Sequence, residues 1–263
     1  MEEKLGDLHV GTSGWTYKDW RGRFYPKDVA QKDWLAWYSE QFNATEINGS
    51  FYRTPTLEAV QAWHDRTPAE FRFAWKASKF ITHWKRLKES AENSIALMVT
   101  RLEVLGEKCG PVLFQLPGRF HADRDRLVKF IKMLPNAYRY AFEFRHESWY
   151  EDAILDVLRD CNIALCLSDH HEAPAPWAVT ADFVYVRGHG PTGRYKGHYP
   201  DATLKDWAEH IATWRREQKT VYAFFDNDQK SAAPTDAKQL LKLCACGRVT
   251  SRSRARRGGR RAF

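Results

Sequence analysis

The chain of 263 residues is long enough to bury a substantial core, and its 43% apolar content, with 11 Trp, 11 Tyr and 15 Phe, excludes a largely disordered protein. No run of about 18 uncharged apolar residues occurs, so a membrane-spanning helix and a membrane partner are not expected, and the acidic start (Glu2, Glu3, Asp7) without a leader-like apolar stretch points to the cytoplasm. The formal charge of +8 suggests nucleic acid until it is located: residues 248–263 hold seven arginines and no acid, leaving 34 Lys and Arg against 33 Asp and Glu in residues 1–247.

In chain order, the first strand-like run, 8–14, leads into the aromatic loop GWTYKDWRGRFYP, which carries Trp15, Tyr17, Trp20, Phe24 and Tyr25. An apolar stripe at 34–41 precedes a second run, 44–50, whose alternation puts Glu46 and Asn48 on one face; Phe51 and Tyr52 follow. After a stripe at 57–66, the third run, 71–77, sets Lys76 opposite the face of Phe73 and Trp75, and ITHWKR then brings His83. Ile95, Met98, Val99 and Leu102 recur at helical spacing.

The fourth run, 111–116, presents Gln115, and a stripe of Leu127, Phe130, Ile131 and Leu134 follows. The fifth, 139–145, presents Glu143 and Arg145 and leads to Trp149, with a helix marked by Ile154, Val157, Leu158 and Cys161. The sixth, 163–169, ends on Asp169, and HHEAPAPWAVTAD after it is too rich in proline for a helix. The seventh, 183–189, offers Arg187 and His189, with Tyr195 and Tyr199 beyond; Leu204, Trp207, Ala208 and Ile211 mark a helix. The eighth, 219–226, runs into FFDND, with Phe225 and Asn227 on one face and Asp226 and Asp228 on the other, before a stripe of Ala237, Leu240, Leu241 and Cys244. Ser148 with Glu151 and Thr203 with Asp206 have the spacing of helix-start capping boxes.

Strands alternating with helices pair in parallel through right-handed crossovers. Eight strands and seven helices, without a glycine-rich phosphate loop after the first strand, predict a TIM-type (β/α) barrel whose helix after strand six is missing or very short. Residues 1–247 form the single barrel domain; 248–263, an Arg, Ser and Gly sequence, is expected to be a disordered tail. Five cysteines, an odd number without an export signal, read as reduced packing residues, and Cys244 and Cys246 lack the partners of a zinc site.

In such a barrel the active site is built from strand C-termini. Polar groups there line a solvated mouth, whereas outward neighbours pack on helices, which explains an acid and a guanidinium alternating with phenylalanines in FEFRHESW. Glu46, Glu143, Asp169 and His189 are the acid–base candidates. Lys76, Arg145 and Arg187 suit an anion; Trp15, Asn48, Tyr52, His83, Gln115, Trp149, Tyr195, Tyr199 and Asn227 complete the binding set. Three cations among these acids repel a divalent ion and no local metal signature is present, so no metal is expected; no cofactor is indicated.

The ordered segments VGTSGW, FYP, EINGSFY, ITHWKRL, GPVLFQLP, FEFRHESW, LCLSD, YVRGHG and FFDND together resemble the YecE-like family, domain of unknown function 72, from about residue 8 to about residue 243. The resemblance implies a TIM-type barrel and brings no established activity. The chain departs from the family's usual pattern at Gly49 and at Asp226. The expected function is an enzyme for a small anionic or phosphorylated substrate, with Glu143 or Glu46 as base and Asp169 orienting it. Phosphodiester hydrolysis and sugar isomerisation enter by fold analogy. The alternative is a noncatalytic binder of nucleic acid or nucleotide, through the mouth or the basic tail.

Overall fold

The computed structural model describes residues 4–257, with side chains as far as residue 245. Eight strands lie in one sheet: β1 (Leu8–Thr12), β2 (Ala44–Ile47), β3 (Arg72–Lys76), β4 (Cys109–Gln115), β5 (Tyr140–Glu143), β6 (Ala164–Ser168), β7 (Phe183–Gly188) and β8 (Thr220–Phe225). Every pairing is parallel, in the order β1-β8-β7-β6-β5-β4-β3-β2. The connecting helices are α1 (Trp34–Gln41), α2 (Leu57–Asp65), α3 (Glu92–Leu105), α4 (Arg124–Ile131), α5 (Asp152–Asp160), α6 (Asp201–Arg216) and α7 (Ala232–Arg257). Residues 169–182 carry no helix, so the expected TIM-type barrel with its gap after strand six is the observed fold. The expected arginine-rich tail, 248–263, lies wholly beyond the residues whose side chains are described, and 258–263 lie outside the described residues altogether.

The seam between β1 and β2 closes the barrel with side chains in place of a ladder. Asn43 Nδ2 donates to the Leu8 carbonyl (2.7 Å) while its Oδ1 accepts from Val10 N (3.0 Å). The Tyr38 hydroxyl, from α1, accepts from Thr12 N at 2.8 Å and donates to the Ala44 carbonyl at 3.2 Å. A parallel bridge between Ser13 and Glu46 completes the closure at the mouth. Gly11 is required here: a Cβ would lie 1.9 Å from the Ala44 oxygen.

Period-two alternation sorts the strand residues into two cores. Inside the barrel, Ala44, Ala74, Leu113, Ala141, Ala164 and Cys166 face the rings of Phe183, Tyr185, Tyr222 and Phe224, so bulk on β7 and β8 fills the space that small residues leave on β2, β3, β5 and β6. Outward, Phe73, Trp75, Phe114, Phe142 and Val186 pack against the helices.

Two helix starts differ from expectation. α5 begins at Asp152, and Ser148 lies in the preceding 3-10 turn Glu147–Tyr150, where its Oγ accepts from Ala122 N at 2.9 Å. α6 begins at Asp201 after Pro200, so Thr203 is already inside it; the acid in the first turn suits the positive helix end better than a cap two residues later. The caps with side-chain bonds are Thr56 on α2 and Asp123 on α4.

Candidate functional site

At the C-terminal end of the barrel the inward positions change from apolar to charged within one strand step. Tyr185 and Arg187 on β7, Phe224 and Asp226 after β8, Ala44 and Glu46 on β2, and Ala141 and Glu143 on β5 are all two residues apart, so one backbone geometry supplies both the core and the layer above it.

Arg187 is the centre of that layer and is fully buried. Its Nη1 donates to Glu143 Oε2 at 2.7 Å, and its Nη2 to Glu46 Oε1 at 2.8 Å and Asp226 Oδ2 at 2.7 Å. Glu46 also accepts from the Tyr185 hydroxyl at 2.7 Å and from Ser13 Oγ. Glu143 is gripped from its other side by Arg145, whose Nε lies 2.6 Å from Oε1. Burial alone would raise the Glu143 pKa, but Arg145 and Arg187 hold it well below the usual carboxylate range. Burial opposes charge on Arg187 too, yet the three acids hold its pKa well above that of a free guanidinium. For Asp226 burial outweighs the Arg187 contact and the pKa is raised.

His189 sits between the guanidiniums. Its Nε2 is 3.1 Å from both Arg145 Nη2 and Arg187 Nη1. Guanidinium groups only donate, so Nε2 accepts and the proton resides on Nδ1. Nδ1 in turn faces Asp169 Oδ1 at 3.3 Å and Ser168 Oγ at 3.4 Å. Burial lowers the His189 pKa well below its ordinary value, so the ring is neutral. Asp169 points outward in the β6 alternation, but its carboxylate swings over to accept from His189 N at 2.7 Å and from the Tyr199 hydroxyl. Burial raises Asp169 to about 6, against the Tyr199 bond.

The rim above β2 and β3 is positive. Lys76 is buried; its Nζ lies 3.2 Å from Asn48 Oδ1 and 4.7 Å from the centre of the Phe51 ring, with no carboxylate among the described residues in ion-pair contact. Burial and then Arg187 lower its pKa. His83 is carried on a π-helical turn, Phe80–Trp84, followed by Arg86 and Leu87 at φ of 46° and 61°. Single π turns and left-handed non-glycine residues are costly and concentrate where geometry is functional. Burial lowers the His83 pKa to about 4, and the charges of Lys76, Arg145, Lys79 and Arg86 add to the effect.

The loop between β7 and α6 covers the mouth. The Tyr195 hydroxyl accepts from Arg145 Nη1 at 2.9 Å, and its ring meets His189 edge-on at 5.0 Å. Tyr195 itself has a φ of 63°, and Gly193 (φ 65°) has no room for a Cβ, which would lie 2.5 Å from both the Asp169 carbonyl oxygen and His171 N.

The structure thus brings together Glu46, Glu143, Asp169, His189, Arg145, Arg187, Tyr195 and Tyr199, with Lys76, Asn48 and His83 at the rim. Gln115 ends β4 half-buried, in register with Glu143. Tyr52 is 67% exposed beneath Lys79. Three expected members lie elsewhere. Trp149 is fully buried, stacked 4.8 Å from Phe144, with its Nε1 donating to the Phe120 carbonyl. Trp15 packs edge-on against Trp63 and Phe73, on the helix side of β3. Asn227 ties Gly197 O to Asp236 Oδ2, pinning the covering loop to α7. Arg187, expected to grip substrate, is instead occupied by three carboxylates.

Asp226, Ser13, Ser168 and Tyr185 belong to the network although they were not expected there. Their signal is the alternation itself: Asp226 continues the face of Phe224, Ser13 that of Gly11, and Ser168 that of Cys166. Choosing run-end residues by chemical type alone favours their neighbours Asn227 and Asp169.

The model of the family described as "Protein of unknown function DUF72" matches residues 9–257. The UPF0759 protein YunF of Bacillus subtilis is 26% identical over 90% of this chain and 94% of its own length. A DUF72 family protein of Thermotoga maritima of known crystal structure superposes with a TM-score of 0.82 at 28% identity, over 91% of this chain and 99% of that one. One from Enterococcus faecalis superposes with a TM-score of 0.78 at 22% identity, over 90% and 95% of the two chains. The chain belongs to the DUF72 family.

Proposed function

We propose that this barrel is an enzyme for a small anionic substrate, of the phosphorylated class, acting by proton transfer at the C-terminal mouth. The observation that carries this reading is the asymmetry of charge. Deep in the mouth each guanidinium is matched by carboxylates, whereas at the rim Lys76, Lys79 and Arg86 surround His83 with no ion pair among the described residues. An anionic group at that rim supplies the missing charge, and Arg145 lies within reach of both layers.

The acid–base group in this reading is His189 rather than Glu143, whose carboxylate is locked between two guanidiniums. Binding displaces the Tyr195 contact and turns Arg145 towards the anion, which removes one of the two guanidinium donors from Nε2; as Nε2 takes the substrate proton, Arg187 Nη1 gives up its contact there and keeps its bond to Glu143 Oε2. Asp169 holds Nδ1–H, and the Glu143 and Asp226 oxygens, each 3.6 Å from Nε2, stabilise the imidazolium that forms. A site buried beneath Tyr195 favours a small molecule over a polymer, so the nucleic-acid alternative ranks second. Sugar-phosphate isomerisation and phosphodiester cleavage are the first reactions to assay, by analogy with other barrels.

The test is turnover across a panel of phosphorylated small molecules. His189→Gln and Asp169→Asn are expected to lose turnover while retaining binding, and Lys76→Gln to weaken binding. Variants that process every substrate as well as the wild type would sink the reading.

A further inference from the structure

The opposite end of the barrel carries a second concave site that the mouth chemistry does not use. A cavity of about 410 Å³ opens where the strands begin, lined by His9, Arg72, Arg139, Tyr222 and Thr220, with Asp7 among the lining residues. His9 is 9% exposed, stacks on Tyr222 at 4.8 Å, and has a buried Nδ1 with no hydrogen-bond partner. Such an orphan is costly unless something satisfies it.

The two guanidiniums are fixed but not neutralised. Arg72 Nη1 donates to the carbonyls of Ala69 (3.0 Å) and Phe71 (3.2 Å), and Arg139 lies over the Phe183 ring at 5.4 Å. Among the described residues neither makes an ion pair, and nor does Asp7. The N-terminal face of such barrels ordinarily serves stability, but a stabilising cluster would pair its arginines with acids.

We propose that this end of the barrel binds a phosphate monoester. Two guanidiniums and an imidazole nitrogen, on β1, on β3 and just before β5, suit a tetrahedral group with three terminal oxygens better than a planar carboxylate. The cavity is larger than inorganic phosphate needs, and the Tyr138 and Tyr222 rings offer apolar surface to the organic part. The site stands whether or not the mouth is catalytic.

The experiment is calorimetric titration of the full chain with ribose 5-phosphate, with the His9 imidazole signals followed by NMR. Wild type is expected to bind saturably and shift the His9 signals. Arg139→Gln is expected to weaken that binding at least about tenfold with the melting temperature unchanged, while Lys76→Gln leaves the His9 response intact. Arg72→Gln is expected to act likewise; should it fail to fold, Arg139→Gln decides alone. Absence of saturable binding, an unchanged His9 spectrum, or undiminished affinity in Arg139→Gln overturns the proposal. Loss of turnover in mouth variants bears only on the mouth.

Discussion

Glu143 on β5 and Arg187 on β7 meet at 2.7 Å with neither side chain open to solvent. The contact spans 44 residues of chain, and Arg187 simultaneously neutralises Glu46 and Asp226. Removing one partner of a buried pair leaves an uncompensated charge, which costs more than the pair itself contributes. Arg187→Ala is therefore expected to destabilise the fold by about 3–5 kcal/mol in urea unfolding. Part of that loss should return on mild acidification, as the stranded carboxylates protonate. A loss below about 1 kcal/mol would mean that solvent already screens the cluster.

Asp228, beside the network, has its pKa raised to about 8 by burial and the nearby Asp226 charge. The folded value lies above the unfolded one of about 3.9, so between the two the native state holds the extra proton and stability falls as pH rises. Asp169, raised to about 6, acts in the same direction over a narrower window. Asp228→Asn, which mimics the protonated acid, is expected to flatten the fall in melting temperature from about pH 5 to about pH 8. Parallel wild-type and variant profiles would refute this.

Gly11 faces the Ala44 carbonyl across the β1–β2 seam, at a distance that no Cβ tolerates. The obstacle is backbone, so the two strands must part. Gly11→Ala is expected to cost about 1–3 kcal/mol or more and to speed amide hydrogen exchange at Val10 and Thr12. Unchanged exchange there would show that the seam yields without opening.

Tyr195 closes the mouth through one hydrogen bond to Arg145. In Tyr195→Phe the freed guanidinium nitrogen turns to water, so stability should change by less than about 1 kcal/mol. Entry of anions should accelerate several-fold in stopped-flow tryptophan fluorescence with inorganic phosphate. An unchanged association rate would mean that another segment gates the site.

The eight strands were legible because helical stripes of different period separate them everywhere except between β6 and β7, where a proline-rich loop does so, and because alternation is a local property of an extended chain. Glu143 and Arg145 were legible for the same reason, since acid and guanidinium between outward phenylalanines fit only an inward, polar layer. Trp149 shows the limit: an aromatic just past a strand end can turn to the mouth or to the helices, and its Nε1 bond to Phe120 O, 29 residues away, decides.

Local pattern, then, fixed which residues face the barrel axis and that the chain would close on itself, because side-chain periodicity follows from backbone geometry alone. Which acid each guanidinium takes, that His189 stays neutral with its proton on Nδ1, and that Arg187 is spent inside the network were decided only by closure. Closure sets β5, β7, β8 and β2 at hydrogen-bonding distance across one axis, and pairing energies between buried charges do not exist until those distances do.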